Sequence, residues 1–125
     1  MNRSLVLQPS NYTPFVSFEP NGNLIIKGRS LMLDTVSYYT PLIEWVKHQK
    51  SESVHFTIEI DYFNTASSKK LLEILKILDQ QDNVKEFIVY WGFESDDEDI
   101  LSKGQILQER LKKACFRFRE LAGLD

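Results

Sequence analysis

The sequence has few of the residues that build catalytic and metal centres. Its 125 residues include one cysteine, Cys115, and two histidines, His48 and His55. A lone cysteine cannot form an internal disulfide, so a reducing compartment is expected. Next to Phe116, it reads as a small buried hydrophobe. His48 falls near a predicted helix end and His55 on the polar side of a predicted strand. Neither stands in a motif that would make it the base of a nucleophile–base–acid constellation, and both are expected at the surface. The five glycines, at positions 22, 28, 92, 104 and 123, are scattered. No glycine-rich loop joins a strand to a helix, which excludes the nucleotide-binding fingerprints. No apolar run is long enough to span a bilayer. Residues 1–10 hold one arginine and the short apolar patch Leu5-Val6-Leu7, which is not the pattern of a signal peptide. Fifteen Lys and Arg against eighteen Asp and Glu leave a net charge of −3, with no electrostatic ground for a nucleic-acid partner. The expectation is a cytoplasmic protein with no cofactor, no metal, no membrane contact and no catalytic residues.

What is present suits one hydrophobic core. Hydrophobic residues make up 42% and charged residues 26% of the chain, ordinary values for a globular domain. There is no internal repeat, low-complexity segment or linker. Val16 and Phe18 alternate with Ser17 and Glu19, and after Pro20-Asn21-Gly22-Asn23 come Leu24, Ile25 and Ile26. Asn-Gly between apolar runs predicts a hairpin, because both residues tolerate positive φ. From Asp34 to about residue 49 the period becomes helical, with Tyr39, Leu42, Ile43 and Val46 on one face and Asp34 as cap. Pro41 requires either a helix that kinks there or one that starts there with Thr40 as cap.

Residues 54–62 form the clearest strand. Val54, Phe56, Ile58, Ile60 and Tyr62 alternate with polar residues, so all five are expected on the inner face. Leu71, Ile74, Leu75 and Leu78 then follow helical spacing. Residues 87–91 are continuously apolar, as in a strand covered on both faces. An acidic stretch, Glu94 to Asp99, lacks the spaced ligands and glycine of a calcium loop and reads as a solvated loop favouring the next helix start. A helix over about residues 100–113 is predicted, with Gly104 weakening its first turn. Residues 115–119 are either the end of that helix or, preferably, a last strand with Phe116 and Phe118 inward. Of the aromatic residues Tyr12, Tyr38, Tyr39, Trp45, Tyr62, Tyr90 and Trp91, most fall at core-facing positions and read as packing. The predicted order is β-β-α-β-α-β-α with a possible final strand: an α/β domain with a mixed sheet, an N-terminal hairpin and helices packed on it. Residues 1–12 are expected to be an N-terminal extension and residues 13–125 the domain.

One segment invites function. Asn64-Thr65-Ala66-Ser67-Ser68-Lys69-Lys70 joins the best strand directly to a helix. Its hydroxyls lie where backbone N–H groups point outward and favour anions. Lysines in a first turn are normally disfavoured, and a phosphate on Thr65 would reverse that penalty. The plainer alternative is that Thr65 or Ser67 caps the helix and the lysines are solvated.

Several segments together resemble the SiaC family of bacterial regulatory phosphoproteins. They are Thr13-Pro14 leading to the Phe18 strand; Leu24-Ile25-Ile26-Lys27-Gly28-Arg29-Ser30; Tyr38-Tyr39 with Pro41-Leu42 and Trp45; Tyr62 to Lys69; and Val89-Tyr90-Trp91 followed by the acidic stretch and Gly104. The resemblance runs from about Thr13 to Phe118. Ala66 stands where the family commonly has a serine, and Leu31-Met32-Leu33-Asp34 replaces a segment that often holds a proline and a glutamate. The resemblance implies a STAS-like fold, as in anti-sigma-factor antagonists, and Thr65 as the phosphorylated residue. Asn64, Ser67, Ser68 and Lys69 would form the surrounding phosphate and partner region. It implies three partners: a serine/threonine kinase with a histidine-kinase-like ATPase fold, a PP2C-type phosphatase, and a diguanylate cyclase activated by the unphosphorylated form. The setting would be c-di-GMP signalling and biofilm control. The other output available to such a domain is antagonism of an anti-sigma factor.

Overall fold

A computed structural model describes residues 3–121. In chain order the elements are β1 (Leu5–Leu7), β2 (Phe15–Phe18), β3 (Asn23–Ser30), α1 (Thr35–Lys47), β4 (Ser53–Phe63), α2 (Thr65–Gln80), β5 (Glu86–Glu94), α3 (Glu98–Glu109) and β6 (Cys115–Leu121). The six strands form one sheet in sequence order. β1, β2 and β3 pair antiparallel, whereas β3 to β6 are parallel to one another. This is the mixed α/β fold that the sequence pattern and the resemblance imply. The last segment is the strand, with Phe116 buried and Phe118 half-buried against the core.

The hairpin forms at Asn21-Gly22. Gly22 has φ +94°, and a Cβ there would lie 2.0 Å from the Ser53 carbonyl oxygen, so any side chain would collide with β4. The stretch expected as an N-terminal extension, over its described residues 3–12, contributes β1, a strand that the sequence pattern does not predict. Its Leu5 and Leu7 pack on the core, and just before it the Arg3 carbonyl accepts a 2.6 Å bond from Trp45 Nε1. Helix α1 starts at Thr35 with Asp34 as cap and runs through Pro41, so Thr40 is not the cap. Pro41 is exposed, and water can solvate the carbonyl it leaves unpaired.

Each parallel pair is joined by one helix. With the usual right-handed crossover all three helices stack on one face of the sheet, and their buried residues join the inward strand residues in a single core. Val54, Phe56, Ile58 and Ile60 from β4 meet Leu71, Ile74, Leu75 and Leu78 from α2 there. The opposite face carries no helix. Along it Lys27 pairs with Glu59 at 3.7 Å, and His55 lies between Glu86 at 2.8 Å and the Tyr90 hydroxyl at 3.2 Å. Arg119 covers the Tyr90 ring at 4.1 Å.

Three expectations are corrected by this arrangement. Residues 87–91 are not covered by helices on both faces: Phe87, Val89 and Trp91 reach the core, while Ile88 and Tyr90 lie on the helix-free side, screened by neighbouring side chains. Cys115 takes the same outward phase and is exposed. Tyr62 is 54% exposed rather than inward. The pairing of Gly28 with Ile60 and of Arg29 with Tyr62 leaves Asp61 as an extra residue, a bulge. A bulge shifts the side-chain phase by one. Phe63 therefore takes the inward place and stacks on Trp91 at 6.2 Å and 8°.

Helix α3 begins at Glu98, capped by Asp97, whose carboxylate accepts from the Ile100 amide at 3.0 Å. The acidic stretch thus favours the helix start, as its charge suggests. Gly104 lies in the helix interior against Trp91, and a Cβ there would stand 2.6 Å from Trp91 Nε1. That nitrogen donates to the Ile100 carbonyl at 2.9 Å, locking α3 onto β5.

Candidate functional site

The start of α2 is built by Asn64, in extended conformation with φ −89° and ψ 168°. Its side-chain oxygen accepts from the Ser67 amide at 2.8 Å, and its side-chain nitrogen donates to the Met32 carbonyl at 3.0 Å. Its own amide donates to the Ser30 carbonyl at 3.1 Å. Asn64 therefore caps the helix and ties it to the end of β3, a role the sequence alone assigned to Thr65 or Ser67. The preference of asparagine for caps was the signal available.

With Asn64 in that role, Thr65 is the first helical residue and is exposed. Ser67 is fully buried. Its hydroxyl donates to the Ser30 carbonyl at 3.0 Å and accepts from Ser30 Oγ at 2.8 Å. Tyr39 OH lies 2.5 Å from Ser30 Oγ. Since Ser30 donates to Ser67, Tyr39 donates to Ser30, and each hydroxyl then has a partner. Burial and the nearness of Tyr39 push the Tyr38 phenol well above its usual range; burial raises Tyr39 also. Both phenols are thus held neutral as hydrogen-bond groups. The sequence gives neither Ser30 nor Tyr39 a place at the start of α2, because the partners lie up to 37 residues apart.

Ser68 is half-buried, and its Oγ is buried without a hydrogen-bond partner among the described residues. Lys69 is exposed, and Lys70 pairs with Glu73 at 3.6 Å. The structure thus brings Asn64, Thr65, Ser67 and Ser68 into the cap and first turn of α2, with Lys69 and Lys70 in the second turn and not the first, and turns them in different directions: Thr65 and Lys69 to solvent, Ser67 into the core, Ser68 against α3. Once Asn64 has taken the Ser67 amide, the amides of Thr65 and Ala66 remain at the helix start to receive an anion. Around the same end of the sheet lie Asp61, Tyr62, Glu94, Asp96 and Asp97. His48 is exposed and His55 half-buried on the helix-free face. Among the described residues, no group of three or more His, Cys, Asp or Glu could hold a metal ion, and no helix is long and apolar enough to cross a membrane.

The two-layer architecture, a six-stranded mixed sheet with three helices on one face, is consistent with a STAS-like fold. More narrowly, the chain belongs to the SiaC family of regulatory phosphoproteins, whose family model matches residues 7–121. No curated protein matches it significantly in sequence. Among solved structures it is similar to apo-SiaC from Pseudomonas aeruginosa, at TM-score 0.81 and 18% identity over 94% of this chain and 99% of that one. A second structure of SiaC from the same organism matches at TM-score 0.79 and 17% identity, over 94% and 100% of the two chains. A third match, at TM-score 0.80 and 18% identity over 92% and 99%, is to a complex of the diguanylate cyclase SiaD with its activator SiaC from Pseudomonas aeruginosa.

Proposed function

We propose that this protein is a phosphorylation-switched activator, without catalysis of its own, that binds a diguanylate cyclase in the cytoplasm when Thr65 is unmodified. A kinase with a histidine-kinase-like ATPase fold would phosphorylate Thr65, and a PP2C-type phosphatase would reverse it. Family membership and the likeness to an activator solved with its cyclase support this reading. The observation that carries the site assignment is the exposure of Thr65 beside two serines whose hydroxyls are buried. A kinase can reach Thr65 without unfolding the helix start.

The switch would be local. Phosphate brings nearly two negative charges and a tightly held water shell. The free amides of Thr65 and Ala66 can receive it, so the fold need not change. A partner that covers Thr65 would have to strip that water from a dianion, and binding weakens.

The test is phosphorylation by the cognate kinase, mass spectrometry, and a cyclase assay. One phosphate is expected on Thr65 and none on Thr65→Ala, with cyclase stimulation lost on phosphorylation. Since Asn64 is the cap, Thr65→Ala should change stability by no more than about 0.5 kcal/mol and still stimulate the cyclase. Phosphate on Ser67 or Ser68, or full stimulation by the phosphorylated protein, would refute the reading.

A further inference from the structure

The sheet ends at β6, and among the described residues no strand pairs with its outer edge. A strand in that position bonds on one side only, so alternate amides and carbonyls along it face outward unpaired. Natural sheets close such an edge by shortening it or by placing a proline or a bulge in it. The opposite edge follows this rule, since β1 is three residues long. β6 does not. It is seven residues long, holds no proline, and pairs with β5 from Cys115 opposite Ile88 to Leu121 opposite Glu94 without a slip. Its edge is therefore a regular template for one more strand.

The side chains of β6 select what can pair there. On the helix side Phe118 is only half-buried. On the helix-free side Arg117 and Arg119 are exposed, and both lean on the Tyr90 ring, at 6.0 and 4.1 Å from its centroid. Tyr90 is itself held by His55, 3.2 Å from its hydroxyl, so the ring is a fixed platform for the two guanidinium groups. Neither arginine pairs with a carboxylate among the described residues. The chain carries a net charge of −3, yet this edge presents two unpaired cations, with exposed Lys112 just before the strand. A second β6 laid antiparallel in the centred register would set Arg117 of one copy opposite Arg119 of the other. A shift by two residues either way would set one arginine against its own copy. Like charges directly opposite destabilise a strand pair, so the edge rejects its own kind.

We propose that the β6 edge binds an extended acidic segment of another protein as an added strand. The open amides and carbonyls of β6 set the extended form of the occupant, and Arg117 and Arg119 set its charge. Asp or Glu at alternate positions of the segment would face the two arginines, and an apolar residue between them would cover Phe118 on the other side. In strand addition the main-chain bonds supply affinity and the alternate side chains supply the choice of partner. β5 separates β6 from β4, the strand that leads to Thr65. The proposal therefore stands independently of the reading of Thr65.

The experiment titrates the full chain with three synthetic peptides of the length of β6 and follows backbone amide signals by NMR. In the first, glutamate and valine alternate; in the second, lysine replaces glutamate; the third is the first with its backbone amides N-methylated. The glutamate peptide should shift the amides of β6, slow their hydrogen exchange, and bind about tenfold more tightly than the lysine peptide, as two cross-strand charge pairs allow. The methylated peptide keeps the charges but cannot form the ladder, and should not bind. A double variant with Arg117→Glu and Arg119→Glu should reverse the preference and take the lysine peptide. Both positions are exposed, and a thermal melt checks that the variant folds as the wild type does. The gain of lysine-peptide binding is a result that loss of folding cannot imitate. Equal binding of the methylated peptide would mean attraction by charge without strand addition, and would overturn the proposal. So would shifts at β1 in place of β6, no shift at millimolar peptide, or protection of the β6 amides by a second copy of this chain as protein concentration rises. Equal binding of the glutamate and lysine peptides would overturn the acidic assignment.

Discussion

Ser67 Oγ donates to the backbone carbonyl of Ser30 at 3.0 Å and accepts from the Ser30 hydroxyl at 2.8 Å, so two residues at the ends of different elements close a ring of hydrogen bonds beneath Thr65. Both serines are fully buried. Removing one hydroxyl leaves the other without its partner in a site closed to water. Ser67→Ala is expected to lower stability by about 1–3 kcal/mol. Removing both should cost less than the sum of the single losses, because the bond between the two hydroxyls is lost in either single variant and can be lost only once. Urea unfolding of Ser30→Ala, Ser67→Ala and the double variant measures this. Losses that add to within about 0.3 kcal/mol would mean the two hydroxyls act independently.

The bulge at Asp61 makes a sharp contrast along one strand. Phe56 is fully buried and meets Phe18 edge-on at 5.6 Å, whereas Tyr62 lies outside under Arg29 at 5.1 Å. Phe56→Ala should therefore cost about 3–5 kcal/mol. Tyr62→Ala loses only an exposed ring and a cation–π contact, about 1 kcal/mol or less. Comparable losses at both positions would contradict the phase shift.

How far this protein is legible in its sequence follows from the range of the interactions. The alternation of residues 54–60, the Asn21-Gly22 turn, the Asp34 cap and the spacing of Leu71, Ile74, Leu75 and Leu78 are local patterns, and each corresponds to an observed element. β1 is three residues long, and its leucines become meaningful only when paired with Val16 and Phe18. The phase of Tyr62 depends on an extra residue opposite β3, which alternation within β4 cannot reveal. The exposure of Cys115 depends on all three helices sharing one face of the sheet. At the candidate site, the sequence marks a helix start rich in hydroxyls. Which hydroxyl faces solvent is decided by Ser30 and Tyr39, which lie far away in the chain.

Asp34 offers a test by pH. Its carboxylate accepts from the Ser37 hydroxyl at 2.7 Å and the Ser37 amide at 3.1 Å, and these donors hold its pKa below the ordinary value of 3.8. A carboxyl with a depressed folded pKa stabilises the fold fully above the unfolded value and loses that contribution as pH falls through the folded one. Asp34→Asn keeps an acceptor but does not titrate. The stability difference between wild type and Asp34→Asn should stay constant from about pH 7 to 5 and shrink as pH drops below 3.8. Thermal melts across that range report it. A difference that grows with acid would reverse the assignment.

The end of α2 makes the last prediction. Asp79, on the buried face of the helix, accepts the amides of Lys112, Lys113 and Ala114, each at 2.8 Å. Lys113 Nζ returns the contact by donating to the carbonyls of Gln81 at 2.8 Å and Val84 at 2.7 Å. These bonds fix the turn that leads from α3 into β6, just before Cys115 enters its register with Ile88. One carboxylate holding three amides is the chemistry that an amide side chain cannot copy, because its nitrogen only donates. Asp79→Asn should leave at least one of the three N–H groups facing a donor and cost about 1.5–3 kcal/mol, as for hydrogen bonds to charged groups. The loss should also be local. Hydrogen exchange at Lys112, Lys113 and Ala114 should accelerate more than in the β4 core, because the turn opens before the sheet does. Equal acceleration throughout the chain would show that Asp79 supports the whole fold and not this turn.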